Sequence, residues 1–337
     1  EPYLKSNILA GIKYLLFFAV GCALLWLAFR NENLSDVWDK MRLADPFWIG
    51  LSVIIAILSL ISRAIRWKML IVPLGYNPKT TKTFYALLIG YLANLAIPRI
   101  GEISRCVSLN KSEKVPFNSL IGTVIVERTI DVVMLFICMA LVAVFQFEML
   151  SSFLMEKIVS PIMNNGSGGR TMIMLIVGGL AIGLAAGIWF LKNKENRLRK
   201  KLSGIIREVG AGLGSVLRMK NNGWFLFHTA FIWVAYFFMT YVCFFCLEST
   251  SQLGLGAGLF ILVVGGLGMS APVQGGIGAY HYIVSHALQL FGVASTDGVV
   301  YATLVHTTQT LLMIVLGGWA FFMLLIPDKP VSNDVKN

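Results

Sequence analysis

Six apolar runs decide what this chain can become. Gly11–Phe29, Phe47 to about Leu70, Leu120–Phe145, Met172–Leu191, Trp224–Leu247 and Ala302–Ile326 are long and nearly free of charge. At a helical rise of about 1.5 Å per residue, some twenty such residues cross a hydrocarbon core of about 30 Å. Backbone in lipid must satisfy its own hydrogen bonds, so a chain built from such runs is an all-α, polytopic membrane protein. Gly11–Phe29 is longer than the apolar core of a cleavable signal peptide and is read as a retained span. The second run is the weakest, because Arg63, Arg66 and Lys68 occupy its far end and must snorkel towards headgroups.

Composition agrees. Of 337 residues, 57% are hydrophobic and only 13% charged, against roughly a quarter charged in a soluble domain. The net charge of +11 would suggest nucleic acid in a soluble protein. Here its natural partner is the anionic cytoplasmic leaflet, and no nucleic-acid partner is expected. Cys22, Cys106, Cys138, Cys243 and Cys246 are scattered. The CxxC spacing of the last two lies mid-membrane with no second ligand pair, so both read as small apolar side chains. No metal site and no cofactor is expected.

Four shorter apolar pieces remain: Phe84–Ile97, Ile100–Leu109, Leu255–Ser270 and Ile277–Phe291. They form two pairs, each interrupted by P-x-x-G, at Pro98/Gly101 and at Pro272/Gly275. Proline removes a donor and glycine allows sharp turns, so helices break there. Short broken pairs read as re-entrant hairpins, tolerated at membrane depth only inside protein or beside water.

Charge fixes the expected topology. Arg63–Lys82 has five basic residues and no acidic one, and Lys192–Lys220 has nine basic and two acidic. Arg30–Asp45 and Gln146–Thr171 carry no basic excess. Six full spans plus two re-entrant hairpins keep both basic segments inside, with both termini cytoplasmic. Two fully crossing pairs would preserve the same orientations. The order span, hairpin, span occurs at about 47–145 and again at 224–326 in opposite orientation. Inverted repeats with matched broken helices are a transporter pattern. One transmembrane domain over 1–326 is expected, with a basic cytoplasmic loop at 192–220 and a tail at 327–337. In that loop Leu198, Leu202, Ile205, Ile206, Val209 and Leu213 recur at helical spacing, as in a surface-lying amphipathic helix or an ordinary charged loop.

Charges inside a membrane cost at least a few kcal/mol each, which makes them functional candidates. Arg99, Glu102 and Arg105 flank the first break at three-residue spacing. Glu127, Arg128 and Asp131 lie within the third run. Both groups read either as an anion-headgroup site, with arginines as bidentate phosphate donors, or as ion pairs that lock helices together. The helix starting at Gly101 can add free N–H groups, and Asn94, one turn before Pro98, is placed to satisfy the carbonyl freed by the proline. At the second break Gln274, Gly275, Gly276, Gly278, Tyr280 and His281 can offer backbone donors to an anion, or can simply form a tight turn. His281 and His286 lack metal spacing. His306 and Gln309, with Thr303, Thr307 and Thr310, read as inter-helix hydrogen-bonding groups. Arg63, Arg66 and Trp67 read as interface anchors before lipid-phosphate ligands.

The stretches SRAIRWKMLIVPLG, NLAIPRIGEISR, GTVIVERTIDVV and APVQGGIG, in that order from Ser62 to Gly278, resemble the flippase-type transmembrane region of the lysylphosphatidylglycerol synthase family, in stand-alone form. The resemblance implies translocation of anionic or modified phospholipids, or of lipid-linked carriers, across the plasma (inner) membrane. It places Arg99, Gly101, Glu102 and Arg105 in a first signature, Glu127, Arg128 and Asp131 in a second, and Pro272, Gly275, Gly276 and Gly278 in a third. Many relatives have Pro-Gly-Gly followed by an acidic residue. Here Gln274 takes the place of that proline and His281 stands near the acidic position.

The reading is a lipid transporter of flippase type rather than an enzyme, with anionic membrane lipids as partners. A homo-oligomer and a separate lipid-synthesising enzyme are compatible further partners. An intramembrane glycosyl or aminoacyl transferase is the rival class, but no DxD or HxxxxD motif is present. A membrane scaffold is the third. The sequence has no GxxxxGK[ST] motif, so ATP is not the direct energy source.

Overall fold

The computed structural model describes residues 2–147 and 221–326, the side chains from residue 16 onward. The fourth apolar run, Met172–Leu191, and the basic loop lie outside the described residues. The chain divides into two compact units, Glu1–Glu127 with Met219–Asn337, and Arg128–Arg218. Of the second unit only residues 128–147 are described.

Among the described residues the regular structure is helical: α1 (Pro2–Phe29), α2 (Leu34–Arg42), α3 (Pro46–Ile71), α4 (Thr80–Ala96), α5 (Gly101–Glu113), α6 (Phe117–Phe145), α7 (Asn222–Val242), α8 (Leu255–Met269), α9 (Ala279–Gln289) and α10 (Ser295–Leu325). Among the described residues four segments are long and apolar enough to cross a membrane: Pro46–Leu74, Phe117–Phe145, Asn222–Cys246 and Ser295–Leu325. Large apolar side chains such as Phe47, Trp224 and Phe322 are exposed, while Arg66, Arg105 and Glu127 are buried. That inversion of the soluble pattern is what a lipid solvent requires. The protein is an all-helical, polytopic membrane protein.

Local chemistry sets the helix ends. Asp45 caps α3 by accepting the Phe47 N–H at 2.9 Å, with Pro46 as the first residue. Asn33 caps α2 by accepting from Ser35 at 3.0 Å. That short helix, with Asp36 in its first turn and Lys40 and Arg42 in its last, suits the helix dipole. It lies in the segment Arg30–Asp45 that joins the first two apolar runs. α10 begins at Ser295, well before the apolar run, because its polar first turn is held from outside: Glu32 accepts from the Ser295 and Thr296 hydroxyls at 2.6 Å each, and Lys40 pairs with Asp297 at 2.5 Å.

The contacts fix the directions of the helices. α3 and α7 run antiparallel, with Asp45 bonded to Cys246, Ser52 to Met239 and Ser62 to His228. α4 and α5 form a hairpin whose open end is tied where Lys79 N–H donates to Glu113 at 2.9 Å. α8 and α9 form a second hairpin, with the Phe260 and Phe291 rings 5.6 Å apart at its open end. The first hairpin starts beside the end of α10, where Tyr85 meets Trp319 edge-on at 5.0 Å. The second starts beside the beginning of α10. They therefore enter from opposite ends, and their closed ends meet: a β-carbon at Gly275 would lie 2.8 Å from Leu95 Cδ2. All four helices of the hairpins have 17 residues or fewer, short of the roughly 20 that a span needs.

Candidate functional site

The buried centre of the first unit is one carboxylate held by three arginines. Glu127 on α6 is fully buried. Arg63 Nη2 donates to its Oε1 at 2.7 Å, Arg66 Nη2 lies 3.5 Å from the same oxygen, and Arg105 Nη1 lies 2.9 Å from Oε2. These four groups sum to +2, three positive against one negative. A buried charge is tolerable only when paired and hydrogen-bonded, and the surroundings supply further partners. Arg63 Nη1 donates to the Tyr236 hydroxyl at 2.8 Å and stacks 5.6 Å from the Tyr91 ring. Arg105 lies 4.6 Å over Trp67, whose indole N–H donates to Thr123 at 2.9 Å. Arg105 is 2% exposed, and its Nε and Nη2 find no hydrogen-bond acceptor among the described residues.

Backbone approach aims Arg105. A β-carbon at Gly101 would overlap the Gly90 carbonyl and the Asn94 side chain, so only glycine lets α4 and α5 come this close. Asn94 does not cap a carbonyl freed by Pro98. Its Oδ1 accepts the Gly101 N–H at 2.7 Å, which occupies a donor that would otherwise face a ligand at the start of α5. Arg99 takes a left-handed φ of 65° in the turn and is exposed. Among the described residues it has no partner. Glu102 sits half-buried in the first turn of α5, where a carboxylate suits the helix dipole.

Arg128 and Asp131 belong to the second unit. They approach to 3.7 Å, with the Arg128 side chain 43% exposed. Of the residues expected at a headgroup site, the structure thus joins Arg105 and Glu127 and places Arg99 outside their cluster. It adds Arg63 and Arg66, which had been read as interface anchors. Both are buried, as is Trp67. Their signal was the three-residue spacing on one helix face, but distance along a helix says nothing about which way that face turns.

At the second break three N–H groups are spent within the turn. Gly276 donates to Val273, Ile277 to Gln274 at 3.0 Å, and Gly278 to His281 Nδ1 at 3.4 Å. Gly275, Gly276 and Gly278 have φ of 56°, 76° and 80°, conformations that L side chains rarely adopt. His306 Nε2–H donates to the Gly275 carbonyl at 2.8 Å, and Gln309 reaches Ser52 at 3.4 Å, matching the inter-helix bonding expected of them. Gln274 is half-buried in this turn. Cys243 and Cys246 are buried and unpaired, packed as small apolar groups. Among the described residues no three His, Cys, Asp or Glu side chains cluster as metal ligands.

Comparison with known proteins agrees with this architecture. A UPF0104 membrane protein of Methanocaldococcus jannaschii is 29% identical over 130 residues, 38% of this chain and 36% of that protein. The match thus spans about a third of that relative's length. A UPF0104 membrane protein of Methanothermobacter thermautotrophicus is 24% identical over 258 residues, 73% of this chain and 76% of its own length. No solved structure matches. Residues 14–317 match the lysylphosphatidylglycerol synthase TM region, and the chain therefore belongs to that family.

Proposed function

We propose that this protein is a flippase-type lipid transporter that moves an anionic or modified phospholipid, or a lipid-linked carrier, across the plasma membrane. The observation that carries the reading is Arg105: a guanidinium 2% exposed, two of its nitrogens without acceptors, in a four-residue cluster of net charge +2. A guanidinium fork matches phosphate oxygens, and an entering phosphate would bring the cluster close to neutral. Glu127 holds the arginines together until then. The headgroup passes between the touching hairpin turns while the acyl chains stay in lipid. Motion of one hairpin-bearing half against the other, as inverted repeats allow, gives alternating access. The charge excess of segments 63–82 and 192–220 supports an orientation with both termini in the cytoplasm.

The test is reconstitution into liposomes with headgroup-labelled phosphatidylglycerol. Wild-type protein speeds loss of the inner-leaflet label. Arg105→Gln, which removes the guanidinium but keeps a shorter polar side chain while Arg63 and Arg66 still pair with Glu127, slows it about tenfold, the worth of one charge-assisted contact. Equal rates for the two proteins would overturn the reading. Conversion of the lipid to a new mass on incubation with glycosyl or aminoacyl donors would move the protein to the transferase class.

A further inference from the structure

Beside the second hairpin's turn, a cavity of about 620 Å³ opens between α1 and α10. α1 contributes Cys22 and Trp26, α10 contributes Thr307 and Thr310, and Ile277 and His281 form its floor. Cys22 and Trp26 are exposed, so the cavity opens sideways, where a membrane protein meets lipid. Among the described residues no Lys, Arg, Asp or Glu lines it.

The floor carries a hydrogen-bond donor without an acceptor among the described residues. His281 is 5% exposed. It is the third residue of α9, and its Nδ1 accepts the Gly278 N–H, the returning half of a capping box. A neutral imidazole that accepts at Nδ1 carries its proton on Nε2. That Nε2–H has no acceptor among the described residues. The neighbouring His306, its ring 4.7 Å away, is different. It uses Nε2–H on the Gly275 carbonyl and sets Nδ1 3.5 Å from the Thr310 hydroxyl. His281 lines the cavity, and a donor that faces an apolar space in lipid is costly to leave unmet.

We infer that this cavity is a lipid-binding groove. Its occupant lays an apolar chain between α1 and α10 and presents an uncharged oxygen of its glycerol region to His281 Nε2–H. The walls select the chain. The neutral donor selects an ester, ether or hydroxyl oxygen. With no cation in the groove, a phosphate has no reason to enter, so the charged end of the lipid lies outside. Water could meet the donor but not the apolar walls. The inference stands apart from transport and holds even where the arginine cluster is purely structural.

Cys22 provides the readout, because it is exposed while the other four cysteines are buried. The full chain is labelled there with bimane in nanodiscs and titrated with dioleoylglycerol, dioleoylphosphatidylglycerol or an oxygen-free long hydrocarbon, each brominated on the chain. Both lipids quench about fivefold more effectively than the hydrocarbon, the worth of one hydrogen bond. His281→Phe brings dioleoylglycerol down to the hydrocarbon's level, and His281→Gln restores most of the difference. Arg105→Gln leaves dioleoylglycerol quenching unchanged, so failure of the phosphate site and failure of the groove are read separately. Equal quenching by dioleoylglycerol and hydrocarbon in the wild-type protein overturns the inference. So does undiminished quenching in a His281→Phe protein that melts at the wild-type temperature. Where His281→Phe melts lower, the wild-type comparison decides alone.

Discussion

The two hairpins enter the helix bundle from opposite ends and touch at their turns, yet one is packed around charge and the other around none. The first lies against α3, the end of α10 and the start of α6. Its apolar core of Trp67, Ile71, Ala86, Cys106, Leu109 and Leu120 adjoins the carboxylate held by three arginines. The second lies against α10 and the end of α7, in a core built from Phe244, Ile261, Val284, Leu288 and Tyr301. Its polar groups are histidines, threonines and backbone. Glycine also does different work in each. Gly90 and Gly101 let two helices approach so that Arg105 is aimed. Gly275, Gly276 and Gly278 let the backbone take conformations closed to other residues. A proline–glycine interruption thus specifies where a helix stops, and the side chains one turn away specify what the stop is for.

The comparison breaks first at Glu127. In Glu127→Gln the three guanidiniums face one another with no carboxylate between them, at exposures of 0–7%. Removing one partner of a buried ionic cluster costs about 3–5 kcal/mol. We expect the largest loss of stability here, seen as a fall in melting temperature in detergent and a shrinking monodisperse fraction. Glu127→Asp, which keeps the charge but shortens the reach, loses less. A Glu127→Gln protein as stable as wild type would show that charge does not organise the first hairpin.

The second hairpin breaks at backbone instead. A β-carbon at Gly278 would overlap the Gly21 carbonyl and lie 2.8 Å from the Leu25 nitrogen, main-chain atoms of α1 that cannot turn aside. At Gly275 the obstacle is the tip of the Leu95 side chain, which can rotate. Both positions carry left-handed strain of about 1–3 kcal/mol for an L residue. Gly278→Ala should therefore cost clearly more than Gly275→Ala, and chemical denaturation of the two variants measures the gap. Equal losses would mean that α1 moves freely against the turn.

How much of this was legible in the sequence follows from what each signal measures. Length and apolarity are read along one dimension, so the long helices and the two broken pairs could be placed before any contact was known. The start of α10 could not, because Ser295, Thr296 and Asp297 look like a loop until Glu32 and Lys40 are brought to them by the fold. Arg63 and Arg66 show the same limit. Their depth near the end of α3 suggested snorkelling, but the direction they face depends on α6 and α7, far away in the chain. Asn94 was singled out correctly as the polar group serving the break. Its partner was misjudged, because the close approach allowed by Gly90 and Gly101 brings an N–H rather than a carbonyl within reach. Glu127 was legible as a buried charge; the number of arginines around it was not.

The smallest expected effect sharpens the comparison most. Arg99 is exposed, holds a φ of 65°, and has no partner among the described residues. Left-handed backbone costs an ordinary side chain about 1–2 kcal/mol, and asparagine tolerates it better. Arg99→Asn should thus raise stability by about half a kcal/mol, within the usual range of surface substitutions, detectable as a small rise in melting temperature. In the liposome assay the same variant should slow headgroup movement less than Arg105→Gln does. The arginine retained against its own backbone preference then owes its place to a weak encounter with headgroups at the turn, and Arg105 to the tighter contact behind it. Should Arg99→Asn slow transport more than Arg105→Gln, the order of the two arginines along the lipid's path would have to be reversed. The buried cluster would then become the frame of the site rather than its floor.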